Sequence, residues 1–195
     1  GWATPSSVWP RAEFSNGYSL VRKVLFEKAG LTVNDTVKGL ECSIGMELLR
    51  PTRIYVKPLM NLIKNFSIRG IAHITGGGLT DNIPRVLPQR CQAVINPNKW
   101  TPHPIFGIIQ DRGNIDDTEM LRVFNMGIGM VVIVPEDKSK EIVDHLARLG
   151  EQASIIGYIR ARGEKDPAIT YEREMKKIKL GVLVSGSGTN LQSII

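Results

Sequence analysis

The sequence predicts an α+β fold in which helices and strands are mixed along the chain. Three observations carry that prediction. Residues 138–149 place Ile142, Val143, Leu146 and Leu149 on one helical face and stop at Gly150. Residues 130–134 and 93–95 are compact apolar runs of strand length. The 195 residues are 42% apolar and 23% charged, near the globular average, and long enough for a sizeable core.

The elements follow in order. Residues 1–14 carry Trp2, Trp9, Pro5 and Pro10 and show neither helical nor strand period, so they read as an irregular arm. Ser15 or Asn16 caps a helix containing Leu20, Val21, Val24 and Leu25, which ends at Gly30. Residues 54–56 read as extended, with Pro58 in the first turn of a helix through Leu62 and Ile63, where its missing N–H is harmless. Residues 68–75 read as a strand running into Gly76, Gly77 and Gly78; residues 105–110 and 118–123 read as helices, and 154–159 as a further strand. Residues 160–179 are polar, with seven positive charges against four negative, and read as a linker. Beyond them, 180–184 reads as a strand, 185–190 as a Gly-rich loop, and 191–195 as a helix start.

Composition narrows the function classes. No apolar run approaches the roughly 18 residues of a membrane-spanning helix. Cys42 and Cys91 cannot build a disulfide framework, which fits a reduced, cytosolic compartment. The net charge is +6, and half of that excess sits in the stretch read as a linker. With aromatics at 6% and no RNP, KH or zinc pattern, nucleic-acid binding is disfavoured. The chain begins at Gly1 without a basic leader and stops just after a Gly-rich loop; it reads as a piece of a longer polypeptide.

Four glycine-bearing segments are candidates for chemistry. Gly76, Gly77 and Gly78 after a strand can turn several amides toward one point and bind phosphate, with Thr75 adding a hydroxyl and Asn82 nearby; a plain turn is the alternative. Asn125, Gly127 and Gly129 precede a strand and permit close approach of a ligand or simply of another backbone. Ser15, Asn16 and Gly17 open a helix, whose amides attract anions or need only a cap. Residues 185–190 form a strand–turn–helix cradle that is neither GxGxxG nor GxxxxGK[ST]. His73, three residues before the glycine run, is the one histidine of interest; His103 falls in a turn, His145 near a helix end, and no metal-ligand spacing exists.

Five blocks in this order, at 15–23, 51–57, 72–79, 82–88 and 124–130, closely resemble the C-terminal half of aminoimidazole ribonucleotide synthetase, the phosphoribosylformylglycinamidine cyclo-ligase family. The resemblance covers about residues 15–160. Residues 179–192 resemble the first strand and phosphate loop of glycinamide ribonucleotide formyltransferase, with Gly188, Thr189 and Asn190 matching its ribonucleotide-phosphate loop. Together they resemble the animal trifunctional purine-biosynthesis protein, which implies an animal source. The implied domains are 1–14 as the arm, 15–160 as the cyclo-ligase domain, 161–178 as the linker and 179–195 as the formyltransferase start. The implied fold is a sandwich with partly ferredoxin-like topology plus a Rossmann-like β-loop-α stub.

The implied reaction is ATP- and Mg²⁺-dependent ring closure of a phosphorylated ribonucleotide, formylglycinamidine ribonucleotide. Such chemistry rests on positioning and charge stabilisation. The candidates for phosphate or nucleotide contact are Ser15, Asn16, Gly17, His73, Thr75, Gly76, Gly77, Gly78, Asn125, Gly127 and Gly129, and the resemblance places most ATP and metal ligands in an N-terminal domain absent here. It implies a homodimeric cytosolic parent, with neither nucleic acid nor membrane as partner. One departure stands out. The family histidine before Ser-Asn-Gly is replaced by Phe14, which can neither transfer a proton nor donate a hydrogen bond. The alternative is therefore an incomplete fragment acting as a ligand-binding or interaction module.

Overall fold

In a computed structural model, residues 17–172 and 192–194 are described. Helix α1 (Tyr18–Val21) continues through the wider turns of Arg22–Lys28 and stops at Gly30, whose φ of 66° only glycine adopts readily. Short α2 (Ile44–Leu48) is capped by Ser43, whose hydroxyl accepts from the Met46 amide. Then come α3 (Val56–Asn65), β1 (Gly70–His73), α4 (Gly78–Asn82), β2 (Cys91–Ile95), α5 (Pro104–Gly113) and α6 (Asp117–Val123). The chain continues through β3 (Met130–Pro135), α7 (Ser139–Arg148), β4 (Gly157–Ala161), β5 (Ile169–Tyr171) and β6 (Gln192–Ile194).

The strands form one sheet in the order β1-β3-β6-β4-β2-β5. All neighbours are antiparallel except β2 and β5, which run parallel. Strand alternation sends successive β3 residues to opposite faces. Val131 and Ile133 join a large cluster with Val21, Leu25, Leu79, Phe106, Ile109 and Phe124, contributed by α1, α4, α5 and α6 and their connections. Val132 and Val134 join a smaller cluster with Leu62 of α3 and Ile142 and Leu146 of α7. Helices therefore cover both faces, and burying each of these aliphatic side chains stabilises the fold by roughly 1.5–3 kcal/mol.

Two sequence expectations change. The stretch 161–178 contains β5, because Ile169–Tyr171 pair with Ala93–Ile95 and Ile169 is buried in the core. A polar composition hid a three-residue strand whose backbone, rather than its side chains, carries the pairing. The tail does not form the helix of a Rossmann-like stub: Gln192–Ile194 lie as a strand between β3 and β4, whose backbone edges offer partners on both sides. Residues 179–190, with the expected strand and loop, lie outside the described residues, as do residues 1–16.

Candidate functional site

The glycine run leaves β1 as a tight loop. Gly77 (φ 91°) and Gly78 (φ 57°) adopt left-handed backbone, and a Cβ on Gly78 would collide with the carbonyl oxygens of Leu121 and Phe124. Buried Asn82 fixes the loop from within: its amide nitrogen donates to the Gly76 oxygen at 3.0 Å and the Gly78 oxygen at 2.8 Å. Arg85 donates to the Asn82 side-chain oxygen at 3.3 Å. With these carbonyls drawn inward, neither the Gly76 nor the Gly77 amide donates to an acceptor among the described residues. The Asp81 side chain lies against Gly77 at the same turn. Thr75 accepts from the Gly78 amide at 3.1 Å through its carbonyl, so its backbone closes the loop.

The second loop begins at buried Asn125. Its side-chain oxygen accepts from the Gly127 amide at 3.1 Å and its carbonyl from the Ile128 amide at 2.9 Å. Met126 (φ 51°) and Gly127 (φ 95°) turn the chain left-handed, and Trp100 Nε1 donates to the Met126 oxygen at 2.9 Å.

Three of the four candidate segments meet here. Gly17 sits so close to Phe124 and Val123 that a side chain would strike them, and Gly78 packs on the Leu121 and Phe124 carbonyls. A Cβ on Gly129 would strike the Tyr55 hydroxyl, and the Tyr55 ring meets that of exposed His73 edge-on at 6.1 Å. Tyr55 thus joins the end of β1 to the loop before β3. Two cavities share the Gly127–Ile128 wall: one of about 120 Å³ bordered by Tyr55, Gly129 and Met130, and one of about 570 Å³ bordered by Arg50, Trp100 and His103. Ser15, Asn16, Gly188, Thr189 and Asn190 lie outside the described residues.

The other two histidines are more embedded than their sequence positions suggest. His145 Nε2 lies 2.6 Å from the Asn61 side-chain oxygen, with its ring against Phe66. His103, at the start of α5, has Nδ1 3.3 Å from the Glu47 carboxylate. Glu47 is buried and also pairs with Arg50 Nε at 3.1 Å and Cys42 Sγ at 3.6 Å. Sequence reasoning noted Asn82 as lying near the glycine run, without its role, and missed Tyr55 and Glu47 as functional candidates. Asn82 and Tyr55 lay inside blocks quoted for their resemblance, but a hydrogen-bonding role across a loop leaves no spacing signal. Tyr171 donates to or accepts from Thr80 at 2.8 Å, and burial pushes its phenol up to about 12. Among the described residues, no group of three or more His, Cys, Asp or Glu is placed to hold a metal.

Comparison with known proteins adds two findings. Residues 4–169 match the family described as "AIR synthase related protein, C-terminal domain". The chain is 63% identical over 152 residues to a protein of Syntrophus aciditrophicus named phosphoribosylformylglycinamidine cyclo-ligase, covering 77% of this chain and 44% of that protein. Proteins of the same name from Syntrophotalea carbinolica and Geotalea daltonii are 52% and 55% identical over 157 and 145 residues. The chain spans less than half the length of these relatives.

Proposed function

Because this chain belongs to the AIR synthase related protein family as its C-terminal domain, we propose that it is the C-terminal part of a phosphoribosylformylglycinamidine cyclo-ligase acting in purine biosynthesis. The observation that carries the proposal is the 63% identity over 152 residues to a protein of that name. The geometry supports it, since Gly17, Tyr55 and Gly78, from three other quoted blocks, pack against the Phe124–Gly129 loop.

In this reading the Gly76 and Gly77 amides receive a phosphate oxygen, and Asn82 holds them so that little reorganisation accompanies binding. A phosphorylated ribonucleotide and ATP both present such oxygens. ATP supplies the phosphoryl group that activates the formyl oxygen for ring closure. His73, at the end of β1 before the glycine loop, and Tyr55, edge-on to its ring, orient a ribose or base edge in this reading. By the family resemblance, Mg²⁺ would be held mainly by the portion of the enzyme outside this chain.

Phe14 stands where the family resemblance expects a histidine, so this chain retains binding more readily than proton transfer. The second reading, a ligand-binding or interaction module, rests on that residue. The resemblance of residues 179–190 to the formyltransferase phosphate loop, and with it the multifunctional animal arrangement, is carried by sequence alone.

The test mixes this chain with the N-terminal portion of the Syntrophus relative, formylglycinamidine ribonucleotide and ATP. Phe14→His is expected to raise ring closure. Absence of closure with both chains, with or without that substitution, together with no heat of binding for either ligand, would sink the proposal. Heat without closure would favour the second reading.

A further inference from the structure

The small cavity and the tail strand are two parts of one feature. β6 pairs with only half of β3, its Gln192–Ile194 lying opposite Ile133–Pro135 on one side and Gly157–Ile159 on the other. Extending that register, the next positions of the slot lie between Val132 and Ile156, Val131 and Ile155, and Met130 and Ser154. Those positions coincide with the cavity of about 120 Å³, which is bordered by Gly129, Met130 and Val132 on one side and Ala153, Ser154 and Ile156 on the other. The cavity therefore opens beside a gap in the sheet, where the edge of β3 that faces β4, over Met130–Val132, has no strand partner among the described residues, its other edge being paired with β1.

We propose that this slot between β3 and β4 receives an extended, proline-free apolar segment of about six residues, supplied by the portion of the enzyme that lies outside this chain, and that Gln192–Ile194 occupies part of it in the segment's absence. The inference rests on the cyclo-ligase reading, which makes this chain part of a longer enzyme. Chemistry selects the occupant. Val131 and Ile133 face the larger cluster and Val132 the smaller, so a strand between β3 and β4 meets apolar surroundings on both faces. Residues 1–16 hold no such run, being interrupted by Pro5 and Pro10 and polar after Arg11. The apolar run 180–184 is the strand that the formyltransferase resemblance assigns to a different sheet. The relatives, by contrast, carry more than half of their length outside the matched region.

The probe is a set of overlapping synthetic peptides spanning the part of the Syntrophus relative outside the matched 152 residues. Each is added to the full chain, and amide hydrogen exchange is followed by NMR. One apolar peptide is expected to bind, to slow exchange at Met130 and Val132, and to release Ser193. Ser193→Pro, which removes a donor from β6, is expected to tighten that peptide by about tenfold, because the competing occupant is weakened. Four outcomes overturn the slot: no peptide binding, binding without protection at Met130 and Val132, protection of residues 180–184 with no peptide present, or a dimer of this chain protecting the same amides. Ring closure in the two-chain mixture without slot protection also overturns the slot and leaves the cyclo-ligase reading standing. Slot protection without ring closure supports the slot and counts against the catalytic reading.

Discussion

Asn82 shows how much of the site depends on a single amide. Asn82→Ala removes both donors to the glycine-loop carbonyls and is expected to lower stability by about 2 kcal/mol in urea denaturation, with a parallel loss of inorganic phosphate binding. Gly78→Ala should cost about 3 kcal/mol or more, since it combines positive φ with a collision against two backbone oxygens. Gly107→Ala is the control: nothing lies within 4 Å of its Cβ in α5, so helix propensity should make it stabilising by roughly 0.5–1 kcal/mol. Tyr171 gives a pH signature. Its phenol is raised to about 12 by burial, so the unfolded chain ionises first as pH rises. Stability from this group is complete below the ordinary tyrosine value near 10 and falls as pH climbs toward 12. Tyr171→Phe should flatten that alkaline decline in thermal melts at stepped pH. A steeper decline would contradict the assignment.

At the scale of elements, the strongly patterned ones were readable. The helix expected at 138–149 is observed at Ser139–Arg148, the strand expected at 130–134 at Met130–Pro135, and the helix expected at 105–110 at Pro104–Gly113. Hydrophobic period determines these because their partners are apolar faces. Short α2 and β5 were not readable. α2 is held by a Ser43 cap and by Glu47, whose carboxylate reaches Arg50 and the start of α5 at His103. That bond has no periodic signature. Glu47→Gln is expected to cost about 1–3 kcal/mol, because the buried carboxylate that pairs with Arg50 becomes a neutral amide with one acceptor oxygen fewer. The check is urea denaturation near neutral pH. Among the site segments, the glycines were readable as backbone freedom and Asn82 as their neighbour, whereas the grip of Asn82 on the loop and the position of Tyr55 emerge only when β1, α4 and the loop before β3 are brought together.

For the molecule as a whole, one surface remains apolar. Leu49 is 78% exposed, Ile54 79% and Val56 64%, and Met60 and Ile63 follow Val56 on the same side of α3. Such a surface marks contact with another protein or domain. The isolated chain is expected to bind a hydrophobic dye, and Leu49→Lys with Ile54→Lys should reduce that fluorescence without lowering the melting temperature. Unchanged fluorescence would show that the dye binds elsewhere.

The register of the sheet has a consequence for how the chain reaches this state. Gly70 pairs with Ile133, Cys91 with Ala161 and Ala93 with Ile169, so no described strand pairs with its immediate successor. No hairpin can nucleate this sheet. Each pairing waits for a distant stretch of chain, and high contact order of this kind slows folding. Emerging from the ribosome, β1 and β2 must wait for β3 and β4, so the interval before residue 161 is synthesised is when this protein is most dependent on chaperones.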